Sequence, residues 1–194
     1  YTLSGDEPWR FVQFGNIVIA ASNSQILQSY TLGSSSLFAD ISGAPTCKYI
    51  AVVRDFVMTA NTSTSNQQVL WSALGDSTSW AASATTQADS QTIYGLGAIT
   101  GLVGGEFATI LCEEGIVRGT YAGSPIIFQM DSVETARGCA IPGSVAAIGN
   151  NTIYYSGDGF YLFDGATSTP IGTEKVDRFF ADDLNLGDVE RCSA

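Results

Sequence analysis

The chain has 194 residues, 45% hydrophobic and 14% charged, which suits one packed domain and argues against disorder. Its net charge is -11 and it has no histidine, so Ser-His-Asp and Cys-His catalysis and every His-containing metal site are excluded. No Lys or Arg cluster offers a grip on nucleic acid, and no run approaches the roughly 18–20 apolar residues of a membrane-spanning helix.

Taken in chain order, four segments share one outline: strand, turn, strand, turn, strand. The first is Phe11–Ala20, then Ser22-Asn-Ser and Gln25–Tyr30. The second is Tyr49–Met58, a polar loop at 61–67 and Gln68–Ala73. The third is Ile99–Leu111, then Glu113-Glu-Gly and Ile116–Tyr121. The fourth is Ser144–Tyr155, then Gly157-Asp-Gly and Phe160–Phe163. First turns centre near Gly15, Asp55, Gly105 and Asn150, at spacings of about 40, 50 and 45 residues, the size of a four-stranded propeller blade. Gly15-Asn16, Gly149-Asn150 and Asp158-Gly159 suit the positive φ of two-residue hairpin turns. Near-continuous apolar runs such as Ile17–Ala21 suggest strands covered on both faces.

The expected fold is therefore all-β: about four blades of a β-propeller over 1–170, part of a larger wheel, with a β-sandwich as the alternative. The chain opens and closes in mid-pattern, as a stretch of a longer one would. Over 171–194 the pattern changes. Val176, Phe179, Phe180 and Leu184 fall at helical spacing, which predicts a short amphipathic helix over 174–184 packed on or leaving the propeller. Thr173 is placed to cap it, and Asp177, Asp182 and Asp183 form its solvated face.

Catalytic, cofactor and metal sites are not expected. Paired carboxylates could serve a glycosidase, with Glu106, Glu113, Glu114, Asp158 and Asp164 as candidates, but a role in turns fits them better. Ser156–Phe163 loosely resembles the Asp-box turn of sialidase propellers, without its Trp and without an arginine cluster for the substrate carboxylate. Trp9, Trp71 and Trp80 could stack sugars, yet aromatics at repeated positions more often pack between blades. Gly95-Leu-Gly97 and Gly101-Leu-Val-Gly-Gly105 lack the strand–helix setting of phosphate loops. Cys47, Cys112, Cys139 and Cys192 fit no zinc spacing and read as reduced thiols, Cys112 as a buried small hydrophobe.

Two stretches carry a family resemblance: Val69-Leu-Trp-Ser-Ala-Leu-Gly-Asp-Ser-Thr-Ser-Trp80 with Gln87-Ala-Asp89, and Gly157-Asp-Gly-Phe-Tyr-Leu-Phe-Asp-Gly165 with Pro170–Asp177. Gly101–Glu106 and Gly123–Phe128 add to it. Over 45–180 the chain resembles propeller-bearing tail proteins of short-tailed bacteriophages, of the hub, nozzle or packaged-DNA stabilisation type. The resemblance implies a structural virion protein without chemistry of its own. It would form a homo-oligomeric, usually hexameric, ring against a portal or adaptor protein and other tail proteins, assembled in the host cytoplasm, with DNA passing through unbound and no membrane partner. It carries over no site residue. The acidic composition suggests a lumen along which DNA slides without sticking. The alternatives are a carbohydrate- or protein-binding propeller module and, less favoured, a glycosidase.

Overall fold

The computed structural model describes residues 8–173, 176–185, 187 and 189. Sixteen strands form four separate four-stranded antiparallel sheets, each a meander in chain order. Sheet 1 holds β1 (Arg10–Phe14), β2 (Ile17–Ser22), β3 (Gln25–Thr31) and β4 (Ala39–Asp40). Sheet 2 holds β5 (Cys47–Val53), β6 (Phe56–Thr62), β7 (Gln68–Trp71) and β8 (Asp89–Thr92). Sheet 3 holds β9 (Ile99–Val103), β10 (Ala108–Cys112), β11 (Ile116–Gly123) and β12 (Ile127–Glu134). Sheet 4 holds β13 (Ala146–Ile148), β14 (Asn151–Tyr155), β15 (Phe160–Phe163) and β16 (Ser168–Pro170), followed by the helix α1 (Asp177–Asp183).

The first hairpins are tight because their turn residues permit it. Phe14 pairs Ile17, Val53 pairs Phe56 and Ile148 pairs Asn151, leaving two-residue loops in sheets 1, 2 and 4. Gly15 and Gly149 take φ of 60°, the left-handed region that glycine enters without penalty. In sheet 2 the same place is taken by Arg54 at φ 51°.

Adjacent sheets pack face to face. The seam between sheets 1 and 2 buries Ile19, Ala21 and Leu27 against Ile50 and Val57. That between sheets 2 and 3 buries Val53, Phe56, Met58 and Trp71 against Ile110, Val117 and Phe128. Leu111 and Ile116 meet Tyr154, Tyr161 and Phe163 between sheets 3 and 4. The innermost strand of a sheet is its first: β1 lies against β5, and β5 against β9. A parallel bridge joins Val53 to Gly105 across the second seam. Gly104 makes this possible, since a Cβ there would run into the Val52 carbonyl. Sheets end outward in their fourth strands, which are edges among the described residues. These are short or carry Asp40, Asp89 and Asp131, and β16 ends in Pro170, all features that discourage edge-to-edge pairing.

The connections between sheets run through the seams. Ile41 and Ala44 lie in the first, Ile93 and Leu96 in the second, Cys139 in the third. The segment after sheet 4 follows suit, because Phe180 of α1 packs tilted on Tyr155 and edge to face on Phe160, both ring pairs 4.9 Å apart.

Four expectations need correcting. The helix spans seven residues from Asp177, with Val176 at its N-cap and no side-chain cap, so Thr173 does not start it. Glu174 and Lys175 lie outside the described residues. Asp177 turns inward rather than to solvent: its carboxylate accepts the Phe160 N–H at 2.8 Å and sits where Gly159 and Gly172 leave room. Phe179, expected to pack, is 74% exposed. Finally, Asp158-Gly159 belongs to a four-residue loop between Tyr155 and Phe160, and its positive φ falls on Gly157.

Candidate functional site

The candidate carboxylates are spread over turns rather than gathered. In a meander, successive turns lie at opposite ends of the sheet, so Glu106, between β9 and β10, is separated by the length of β10 from Glu113 and Glu114. Glu106 pairs with Arg54 at 3.0 Å. The Glu113 side chain accepts the Ala98 N–H at 2.8 Å, fixing the connection into sheet 3. Asp158 accepts the Tyr161 hydroxyl at 3.0 Å; burial, and after it this hydrogen bond, raises the pKa of that phenol. Asp164 accepts the N–H groups of Ala166 and Thr167 at 2.9 and 2.8 Å, and these hold its carboxyl below the usual range. Asp76, not singled out in the sequence, is lowered in the same way by the hydroxyl and N–H of Thr78. A short polar side chain two residues before a backbone donor is the signal that finds such turns.

The aromatic candidates also separate. Trp71 is buried in the second seam and donates to the Gln87 carbonyl; Trp80 is buried in the first and donates to the Ser77 carbonyl. Trp9 lies half-buried ahead of β1. No shared sugar platform results. Cys47, Cys112 and Cys139 are buried free thiols, and Cys192 lies outside the described residues. Burial pushes Cys47 up to about 12 and, helped by Glu113, Cys112 to about 12. Such thiols are poor nucleophiles and poor ligands. Among the described residues no group of three His, Cys, Asp or Glu side chains could hold a metal ion.

Charge is sorted by radius. Among the described residues, the four innermost strands carry Arg10 and Lys48 and no carboxylate, while the outermost strands carry Asp40, Asp89, Asp131 and Glu134 and no cation. The acidic side chains of the sheets therefore lie at the outer rim and the turns.

What remains accessible is surface. A shallow cleft between sheets 2 and 3 is lined by Ile93 and Tyr94 on one side and Val117, Met130 and Ser132 on the other, with Tyr94 80% exposed. Two broad sheet faces, one on sheet 1 and one on sheet 4, have no sheet against them among the described residues.

No protein-family model matches the chain, and no curated protein matches its sequence. Solved structures do. The dihydro-haem d1 dehydrogenase NirN is 15% identical over 84% of this chain, with a TM-score of 0.54. BamB from Moraxella catarrhalis is 15% identical over 78% of the chain and 41% of its own, with a TM-score of 0.48. The chain spans 36% of the NirN chain, little over a third. The four sheets are blades of a β-propeller fold. At this identity the likeness speaks for architecture alone, and the sheets are called blades 1 to 4 below.

Proposed function

We propose that these blades are a structural part of a virion, the propeller of a tail hub or nozzle in a short-tailed phage. The observation that carries this reading is how the charged and aromatic side chains are used. Glu106, Glu113, Asp158 and Asp164 cap turns or pair across seams, and Trp71 and Trp80 fill seams. The phrases that resemble the phage proteins, Val69–Trp80 and Gly157–Gly165, are strand-and-turn architecture here, as a building part requires. In a homo-oligomeric ring the acidic outer rims, rather than the propeller axis, would face passing DNA, which carboxylates leave unbound.

Electron microscopy of the protein mixed with portal rings tests the reading. Added density in rings at the portal is expected, with no shift of duplex DNA in a gel at physiological salt. A protein that ignores portal rings, or that retards duplex DNA, sinks it. A second reading, a peptide- or glycan-binding module, draws on one observation: Tyr94 stands open beside the shallow cleft lined by Ile93, Met130 and Ser132. Selective capture on a glycan or peptide array, lost in Tyr94→Ala, would favour that reading instead.

A further inference from the structure

The blades repeat closely enough to compare equivalent positions. The last residue of each first strand faces the following blade: Phe14 packs toward blade 2, Val53 is fully buried toward blade 3, and Val103 packs toward blade 4. Their counterpart in blade 4 is Ile148, which faces away from blade 3 and is 58% exposed. Ile153 and Leu162 share its face, only half-buried.

Three residues earlier the strand faces the preceding blade. Ile50 is buried there, and Val145 packs on blade 3. The counterpart in blade 1 is Phe11, which is 59% exposed. Beside it stand Tyr30 and Phe38, an aromatic group with ring centroids 5.4 to 6.2 Å apart. Gln28, on the same face, is buried with an amide nitrogen that has no hydrogen-bond partner among the described residues.

We infer that these two faces are blade-docking surfaces. Each takes a further twisted, four-stranded antiparallel blade, packed head to tail as blades 1 to 4 pack on one another. Two observations select a blade over other occupants. The equivalent leading-face residues Phe14, Val53 and Val103 all pack into clusters built from the next blade and the connection that leads into it. The segment after blade 4 already lies where inter-blade connections lie: α1 seals one end of that face through Phe180, leaving Ile148, Ile153 and Leu162 open beside it. The two faces are also complementary in kind, since the one on blade 4 is a leading face and the one on blade 1 a trailing face. Heterologous contacts of this sort close into a wheel when the rotation allows.

A second copy of the chain carries both faces and is the probe. Sedimentation velocity of the wild-type protein over a wide concentration range should show self-association. Phe11→Asp and Ile148→Asp, each spoiling one face, should weaken it about tenfold or more while leaving the circular dichroism unchanged. Mixing the two variants should restore a complex, because each contributes the face that the other lacks. A wild-type protein that stays monomeric throughout, or association that survives both substitutions, overturns the inference. So does a mixture no better associated than its components. This inference rests on the blade packing and not on the virion reading, and failure of portal binding would leave it standing.

Discussion

The seam between blades 2 and 3 and the seam between blades 3 and 4 solve the same packing problem with different materials. The first is wide and almost wholly apolar, with Phe56, Trp71, Tyr121 and Phe128 meeting edge to face or tilted at centroid separations of 5.1 to 5.8 Å. Its two sides are also joined through the main chain, Gly105 donating to Val52 at 3.0 Å and Arg54 to Gly105 at 2.9 Å. The second seam is smaller and leans on tyrosines and arginines. Arg137 lies over Tyr161 at 4.2 Å, and Arg118 reaches the Gly165 carbonyl at 3.3 Å while its buried Nε finds no partner. Apolar burial is the main stabilising term, so the stability of this arc is centred on blades 2 and 3. Blade 4 is held by the smaller share, and it is the blade expected to open first in local unfolding.

That comparison can be broken in order of expected effect. Phe128→Ala removes the ring at the centre of the aromatic group and should cost about 3–5 kcal/mol in urea unfolding. A loss under half of that would mean that the seam between blades 2 and 3 is not the stability centre. Alkaline pH comes next. Buried Cys47 and Cys112 ionise only near 12 when folded, whereas an unfolded thiol ionises near 9. The unfolded state therefore releases its protons first. The stability is fully present below about pH 9 and drains away as the pH rises toward 12, at about 1.4 kcal/mol per unit for each thiol. In the double variant Cys47→Ala/Cys112→Ala the slope of stability against pH over that window should flatten; an unchanged slope assigns it to other groups.

Glycine substitutions sharpen the contrast. Gly104→Ala drives a Cβ into the Val52 carbonyl and should cost about 1–3 kcal/mol by separating blades 2 and 3. Gly138→Ala presses on the Cys112 carbonyl in the connection to blade 4. It should act locally, speeding amide exchange in β13 to β15 more than in β5 to β7. Equal exchange in both regions would contradict the ranking of the seams. The smallest effect is expected at Arg118. Replacing a half-buried, half-satisfied guanidinium by an apolar side chain of similar length, Arg118→Met, should change stability by less than about 1 kcal/mol in either direction. A loss well above that would make Arg118 a principal tie of the third seam.

Much of this arrangement can be read from the sequence because hairpins announce themselves. The turns near Gly15, Asp55, Gly105 and Asn150 are the first turns of the four blades, and the runs around them are the inner three strands. The fourth strands carry no such signal. Ala39–Asp40, Asp89–Thr92 and Ser168–Pro170 are short and polar, since an outermost strand needs only one neighbour's main chain and has little to bury. The helix was legible as a period but not as an orientation. Phe180 was drawn to Tyr155 and Phe160, and the Phe160 N–H took Asp177 as its partner, which leaves Phe179 outside. At the candidate site the carboxylate turns and buried tryptophans were readable. The sorting of charge between inner and outer strands was not, because radius is a property of the assembled sheets.

Arg54 shows how near-identical units can be kept in order. A chain of similar blades risks misassembly, since one apolar face resembles another. At the turn where blades 1 and 4 have glycine, blade 2 accepts a left-handed arginine, a backbone cost of about 1 kcal/mol. Its guanidinium then meets Glu106 at 3.0 Å and lies over Tyr121 at 5.1 Å, both in blade 3. Packed against any other blade, that cation would lose both partners. The turn thus works as an address label, readable only by the correct neighbour.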